Sequence, residues 1–218
     1  MSIAKRFSDK DLEKIKAAVK EAESKISGEI VPVFVEKSGF YTIANYRAAM
    51  MGAASVFLLV IIFDRYVPSV PIYFYDLLTI FIFVVIGGVA AALITNFVDP
   101  IKKWMLSQTH LDQATRKRAE NAFLEEEVFN TRHRTGIMIF VSFFEHEVIV
   151  MADRGISKVV DQKEWDKIVA VIIQNVRMGK VADGIVLAIQ RCGDLLLEKG
   201  FVQTPDDVNE LRDDLRIE

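Results

Sequence analysis

The sequence predicts an α/β protein: a three-layer α-β-α sandwich with a small mixed sheet, interrupted by a two-helix transmembrane hairpin. Three observations predict it. Helical and strand-like stretches follow one another in the order α–β–[apolar hairpin]–α–β–β–α–α. The strand-like runs are nearly all apolar, and such strands need helices on both faces. The mean hydropathy is +0.25 although 26% of residues are charged, and the excess sits in residues 43–98. The chain therefore divides into a first domain half (1–42), the hairpin (43–98), a juxtamembrane helix with the second half (99–200), and an acidic tail (201–218).

Residues 7–26 read as a helix. Ser8 and Asp11 make a capping-box start, Phe7 and Leu12 can form a hydrophobic staple, and Leu12, Ile15, Val19, Ala22 and Ile26 share a face. Ser27–Gly28 stops it, and Met1–Arg6 lacks the apolar core of a signal peptide. Residues 29–36 (EIVPVFVE) read as a strand in which Pro32 suggests an edge position or a bulge.

Residues 43–63 and 77–97 are each long enough to cross a hydrocarbon core of about 30 Å. The first carries only Arg47, near its start, and the second no charge. The Gly87–Gly88 pair and the Met51–Ala54 run allow close helix approach, and they permit a homo-oligomer without requiring one. Between them, Pro68 and Pro71 break the helix, and Tyr66, Tyr73 and Tyr75 suit an interface. A hairpin leaves both flanks on one side. The flanks hold Lys37, Arg47, Lys102, Lys103, Arg116, Lys117 and Arg118, against Arg65 alone in the linker. That bias predicts a two-pass protein of the cell membrane with its soluble domain in the cytoplasm.

Residues 100–132 read as one helix about 45–50 Å long. It should outrun its sheet, so that residues 101–111 form a juxtamembrane stalk. Its apolar face holds Leu111, Ala119, Ala122 and Phe129, with Thr115 and Glu126 in the same stripe. Glu126 reads as a partly exposed acid near the helix end rather than a tuned base. Residues 136–143 and 147–152 read as an antiparallel hairpin joined at Phe144–Glu145–His146. Residues 161–176 form a helix capped by Asp161 with Glu164 completing the box, and Gly179 ends it. A last long helix covers 181–199, and Thr204–Pro205 opens a short one in the tail.

The order of several motifs resembles the TPM domain family. They are SGEIVPVFVE (residues 27–36), the T-x-x-RTGIMIFVS strand from Thr131 to Ser142 and EHEVIVMADRGI (residues 145–156). Asp161 and Trp165 of the D-x-x-x-W helix follow, then Arg177, Gly179 and Gly184, and the DDVNELRDDLR tail is similar to that of membrane-anchored bacterial members. The resemblance implies a small α-β-α domain, found in bacteria and chloroplasts and often tethered to membranes. It also implies an association with divalent-metal binding, with acid phosphatase activity, and with accessory roles in photosystem repair and receptor support.

Strand geometry groups the polar residues into two sets. At one end His133, Arg134 and Thr135 neighbour Asp153 and Arg154, because the start of one antiparallel strand lies beside the end of the next. If the first strand is parallel, Glu29 starts there too, and Asp161 follows shortly after. Glu29, Asp153 and Asp161 are hard oxygen ligands suited to Ca²⁺ or Mg²⁺. Arg134 and Arg154 could grip a phosphate. The plainer alternative is that Asp161 caps a helix and Asp153–Arg154–Gly155 makes a turn. At the other end, Phe143, Phe144 and His146 are expected to face the bilayer.

A net charge of −3 and a pI near 5.7 argue against a nucleic-acid partner. The single Cys192 excludes an internal disulfide. No nucleophile elbow, zincin pair or phosphate loop occurs, and the histidines (His110, His133, His146) are scattered. The expectation is a membrane-anchored accessory protein that presents its domain to a protein partner the sequence does not name, with a divalent cation as an optional ligand. The alternative is a metal-dependent phosphatase using Glu29, Asp153 and Asp161.

Overall fold

The computed structural model describes residues 6–67, 76–204, 210–211 and 215–217. They fall into two compact units, one of residues up to Ser38 and from Asp112 onward, the other of residues 39–111. Pro68, Pro71, Tyr73 and Tyr75 of the expected interfacial linker lie outside the described residues, as does the expected short helix from Pro205 on.

The first unit is the α-β-α sandwich. Its strands are β1 (Glu29–Val35), β2 (Gly136–Ser142), β3 (Glu147–Ala152) and a short β4 (Arg216–Ile217), in the order β3-β2-β1-β4. β1 is parallel to β2 and to β4, and β2 is antiparallel to β3. Every residue of β1 and β2 is buried, because helices cover both faces. One face (Ile30, Phe34, Ile137, Ile139, Val141) packs on residues of α1 (Asp9–Glu23), α7 (Gln162–Arg177) and α8 (Val181–Glu198). The other (Val31, Val33, Val35, Met138, Phe140) packs on Ala119, Ala122 and Phe123 of α5 (Gln108–Glu125). The two sets alternate along each strand as a pleat demands.

β1 is not the outermost strand, yet Pro32 sits where its missing donor costs little. Glu29 donates to Thr135 and Val35 accepts from Phe143, so the odd residues of β1 bond toward β2. By alternation the Pro32 nitrogen faces the opposite side, where β4 reaches only Val33 and Phe34. The acidic tail thus ends in a strand, which its composition did not announce. The side chain of Arg216 holds it by donating from Nε to Glu126 Oε2 at 2.6 Å.

α1 starts with the expected capping box between Ser8 and Asp11. At α7 the expected box is absent: Asp161 is the N-cap residue without a side-chain bond, and Glu164 pairs with Lys167 at 2.9 Å. The long 100–132 helix is also not continuous. α4 (Asp99–Trp104) ends at Met105, and α5 begins after Ser107, whose Oγ lies 2.9 Å from His110 Nδ1. A Ser that bonds its own following turn restarts a helix rather than continuing one. α5 is about 27 Å long, and its first turn, Gln108 to Leu111, falls in the second unit.

The second unit holds α2 (Thr42–Tyr66) and α3 (Leu77–Phe97). Both are long and apolar enough to cross a membrane, and each has only 6% of its most apolar window buried, unlike the core helix of a soluble protein. They pack through small residues. A Cβ on Gly52 would lie 2.5 Å from the Ala91 side chain and 2.7 Å from the Gly87 carbonyl. The backbones are therefore nearly in contact, the approach that small residues permit in lipid.

Phe34, fully buried, meets the tilted ring of Phe7 beside α1 at 5.2 Å. Phe34→Ala is expected to cost about 3–5 kcal/mol. The check is a lower denaturant midpoint at unchanged slope.

Candidate functional site

The first polar end of the sheet forms as the strand geometry requires. Glu29 N–H donates to Thr135 O, Asp153 N–H to Gly136 O, and Gly155 N–H to Arg134 O. Gly155 is needed there, since a Cβ would come within 2.5 Å of that Arg134 carbonyl. The backbones of Glu29, Thr135 and Asp153 thus meet at one edge. Their side chains, however, have other tasks. Glu29 Oε1 accepts from Glu210 N–H at 3.0 Å, and Glu210 Oε2 accepts from Arg132 N–H at 2.8 Å. Asp153, 7% exposed, accepts from Arg154 N–H on Oδ1 at 2.6 Å. Its Oδ2 has no hydrogen-bond donor and faces Arg134 Nη1 at 3.6 Å. Arg134 in turn donates to Phe129 O at 2.9 Å and lies over the Phe129 ring. Arg154 and Asp161 are exposed.

A Ca²⁺ or Mg²⁺ site needs about six oxygens around one point. Among the described residues, no three His, Cys, Asp or Glu are placed to hold a metal ion. Glu29 ties down the tail, Asp153 caps the short helix α6 (Arg154–Ser157), and Asp161 stands at the start of α7. Arg134 donates one bond to the loop that bears it, and Arg154, next to Asp153 in sequence, is exposed.

The second polar end is where sequence reasoning missed most. Phe143 and Phe144 are not held out to a bilayer: they are 6% and 8% exposed. Their N–H groups donate to Val35 and Glu36, so the β2–β1 ladder runs on past Ser142. The pleat then turns Phe143 to the face of Ile139 and Val141, where its ring meets Phe7 at 6.0 Å. Lys37 Nζ lies over the Phe144 ring at 4.8 Å. Only His146 of the three is exposed, in a left-handed turn at φ 61.

Beneath this turn lies a network of hydroxyls and carboxylates. Ser38 N–H donates to Glu145 Oε1 at 3.0 Å, Ser38 Oγ donates to Ser142 Oγ at 2.9 Å, and Ser142 Oγ donates to Glu145 Oε2. Glu147, opposite Ser142 in the hairpin register, takes part through α5. Burial pushes its carboxyl up to about 7, aided by a hydrogen bond with Asp112 and by repulsion from Asp112 and Glu145. A hydrogen bond with Thr115 works the other way. The hydrogen bond between Glu147 and Asp112 links α5 to the start of β3. The signal was present as an acid at a strand start facing a helix that carries Asp112 and Thr115 at adjacent-turn spacing.

The Cys192 thiol, buried on α8, is pushed up to about 12 by burial and stays protonated at neutral pH.

Residues 104–195 match the family model of the TPM domain. A TPM domain is thus found at residues 104–195. The match takes in α5, α6, α7, most of α8, β2 and β3, while α1, β1 and the apolar hairpin precede it. Among solved structures, the chain is similar to the BA42 protein from the psychrophilic bacterium Bizionia argentinensis. Identity is 17% and the TM-score 0.59, over 96% of this chain and 94% of that one. That likeness is one of fold. No curated protein matches the chain. Both polar ends belong largely to the matched TPM segment, with Glu29, Ser38 and Glu210 supplied from outside it.

The Glu147 carboxyl sets a pH dependence. Its ordinary value is 4.5, so the unfolded chain releases this proton first as pH rises, while the folded TPM domain keeps it to about 7. Stability should therefore fall between about pH 4.5 and 7 and level off above. Denaturant unfolding across that range checks this: Glu147→Gln should remove this part of the slope, and an unchanged slope would contradict the assignment.

Proposed function

We propose that this protein is a two-pass membrane accessory protein that presents a cytoplasmic TPM domain to protein partners. The observation that carries the reading is the pair of lipid-length, largely unburied helices inserted between two neighbouring strands of the domain. A domain tethered at both ends of one insertion has its position relative to a bilayer restricted, which suits display to another protein. The basic flanks, Lys37, Arg47, Lys102, Lys103 and Arg116 to Arg118, support the cytoplasmic side. The chemistry of the polar ends agrees. Their carboxylates fix a tail, a helix cap and a turn, and the thiol is buried.

A second reading, a metal-dependent phosphatase, has one observation in its favour: Asp153 Oδ2 is buried without a hydrogen-bond donor. Assay of the purified full chain on phosphoesters, with Ca²⁺, with Mg²⁺ and with a chelator, separates the two. The accessory reading expects no metal-dependent turnover. Turnover that a chelator abolishes and Asp153→Asn removes would overturn it. Partners that co-purify from solubilised membranes in a manner sensitive to changes on the TPM domain would support it.

A further inference from the structure

α3 does not run straight into α4. The axis breaks at Val98, which is extended at φ −113 and ψ 94, and α4 follows with Pro100 in its first turn. Two cationic side chains, Lys102 and Arg47, hold α4 against the membrane-length helices. Lys102 Nζ donates to the Asn96 side chain at 3.2 Å and to the Asn96 carbonyl at 3.4 Å, placing a cation at the last turn of α3. Arg47, in the first turns of α2, donates from Nη1 to the Met105 carbonyl at 2.7 Å, at the end of α4. So α4 is pinned to both helices at the end of the hairpin that carries the chain's connections onward.

α4 exposes Asp99 and Pro100 at its start and an aromatic ring at its end. Trp104 is 72% exposed, with Tyr46 and Phe97 exposed on the adjoining helix ends. Large rings with a polar edge gather where hydrocarbon meets headgroups. Arg47 is exposed, and a guanidinium has five donors, of which one goes to Met105. The others suit phosphate oxygens, which accept forked bonds from arginine.

We propose that α4 seats in the phosphate layer of a phospholipid bilayer, with Trp104 at the boundary of headgroups and acyl chains and Arg47 on a lipid phosphate. This rests on the membrane reading above and moves the membrane contact from the Phe143–Phe144 turn to the base of the hairpin. α4 then fixes the depth of the anchor, so that α2 and α3 cannot slide along the bilayer normal.

The chain has two tryptophans, and Trp165 is buried in the TPM domain core. The full chain is reconstituted in phosphatidylcholine vesicles containing lipids brominated either near the headgroup or near the bilayer centre. Trp165→Phe leaves Trp104 as the reporter. The wild-type minus Trp104→Phe difference gives the same signal with the core intact. The expected result is a larger loss of Trp104 emission with the shallow bromine, and a smaller shallow loss in Arg47→Gln. No loss with either lipid, a larger loss with the deep bromine, or a shallow loss unchanged by Arg47→Gln overturns the proposal. Extraction at high pH separates the two levels. A chain that stays with the membrane while Trp104 is unquenched defeats the seating of α4 alone, and a chain that washes off defeats the membrane reading itself.

Discussion

The parallel pairing of β1 with β2, in register from Glu29 with Gly136 to Val35 with Ser142, is the constraint on which the rest depends. Parallel neighbours cannot be joined by a tight turn, because the chain must return to the end it started from. In most α/β units one helix makes that return. In this chain the crossover contains α2, α3 and α4 before α5 makes it. α5 is well matched to the task, with a length near that of the strand and Ala119 and Ala122 against the sheet. Both strands are fully buried only because α5 covers one face and α1, α7 and α8 the other. The pairing joins the two parts of the TPM-type sandwich, together with α1, which packs on α8 in the same core.

The polar residues at the two ends of the sheet serve that same pairing. At one end Glu29 and Glu210 bind the tail to the start of β1 and to the loop before β2. At the other, Glu145 accepts from Ser38, just beyond β1, and from Ser142, the last residue of β2. Glu147 and Asp112 add a link from β3 to α5. Buried carboxylates with this many partners hold backbone segments in place, and breaking one partner is costly because the other is left unsatisfied. Their presence in a domain is therefore not by itself a mark of catalysis.

Much of the fold was legible in the sequence because its signals are local. Ser8 and Asp11 announce a helix start, the β-branched runs announce strands, and the two apolar stretches coincide closely with α2 and α3. What was missed depends on contacts distant in sequence. Residues 216–217 form a strand only because β1 offers an open side and Glu126 offers a partner for Arg216. Phe143 and Phe144 look like an exposed tip until the ladder to Val35 and Glu36 is seen to continue through them. The carboxylates of Glu29, Asp153 and Asp161 were placed near one edge by topology alone. What Glu29 and Asp153 meet depends on Glu210, Arg134 and the start of α6, which no spacing rule reveals, and Asp161 makes no side-chain cap bond. The break after Trp104 was written in Ser107, a residue that favours helix starts, but helical periodicity on both sides concealed it.

Orientation across the membrane is the central claim and can be measured directly. Asp64, near the end of α2, and Ser157, at the end of α6 in the TPM domain, are both exposed, and native Cys192 is buried and gives no background. Asp64→Cys and Ser157→Cys are treated in intact cells with a membrane-impermeant thiol reagent. Labelling of Asp64→Cys in intact cells, with Ser157→Cys labelled only after permeabilisation, is the predicted result. Labelling of Ser157→Cys from outside would contradict it.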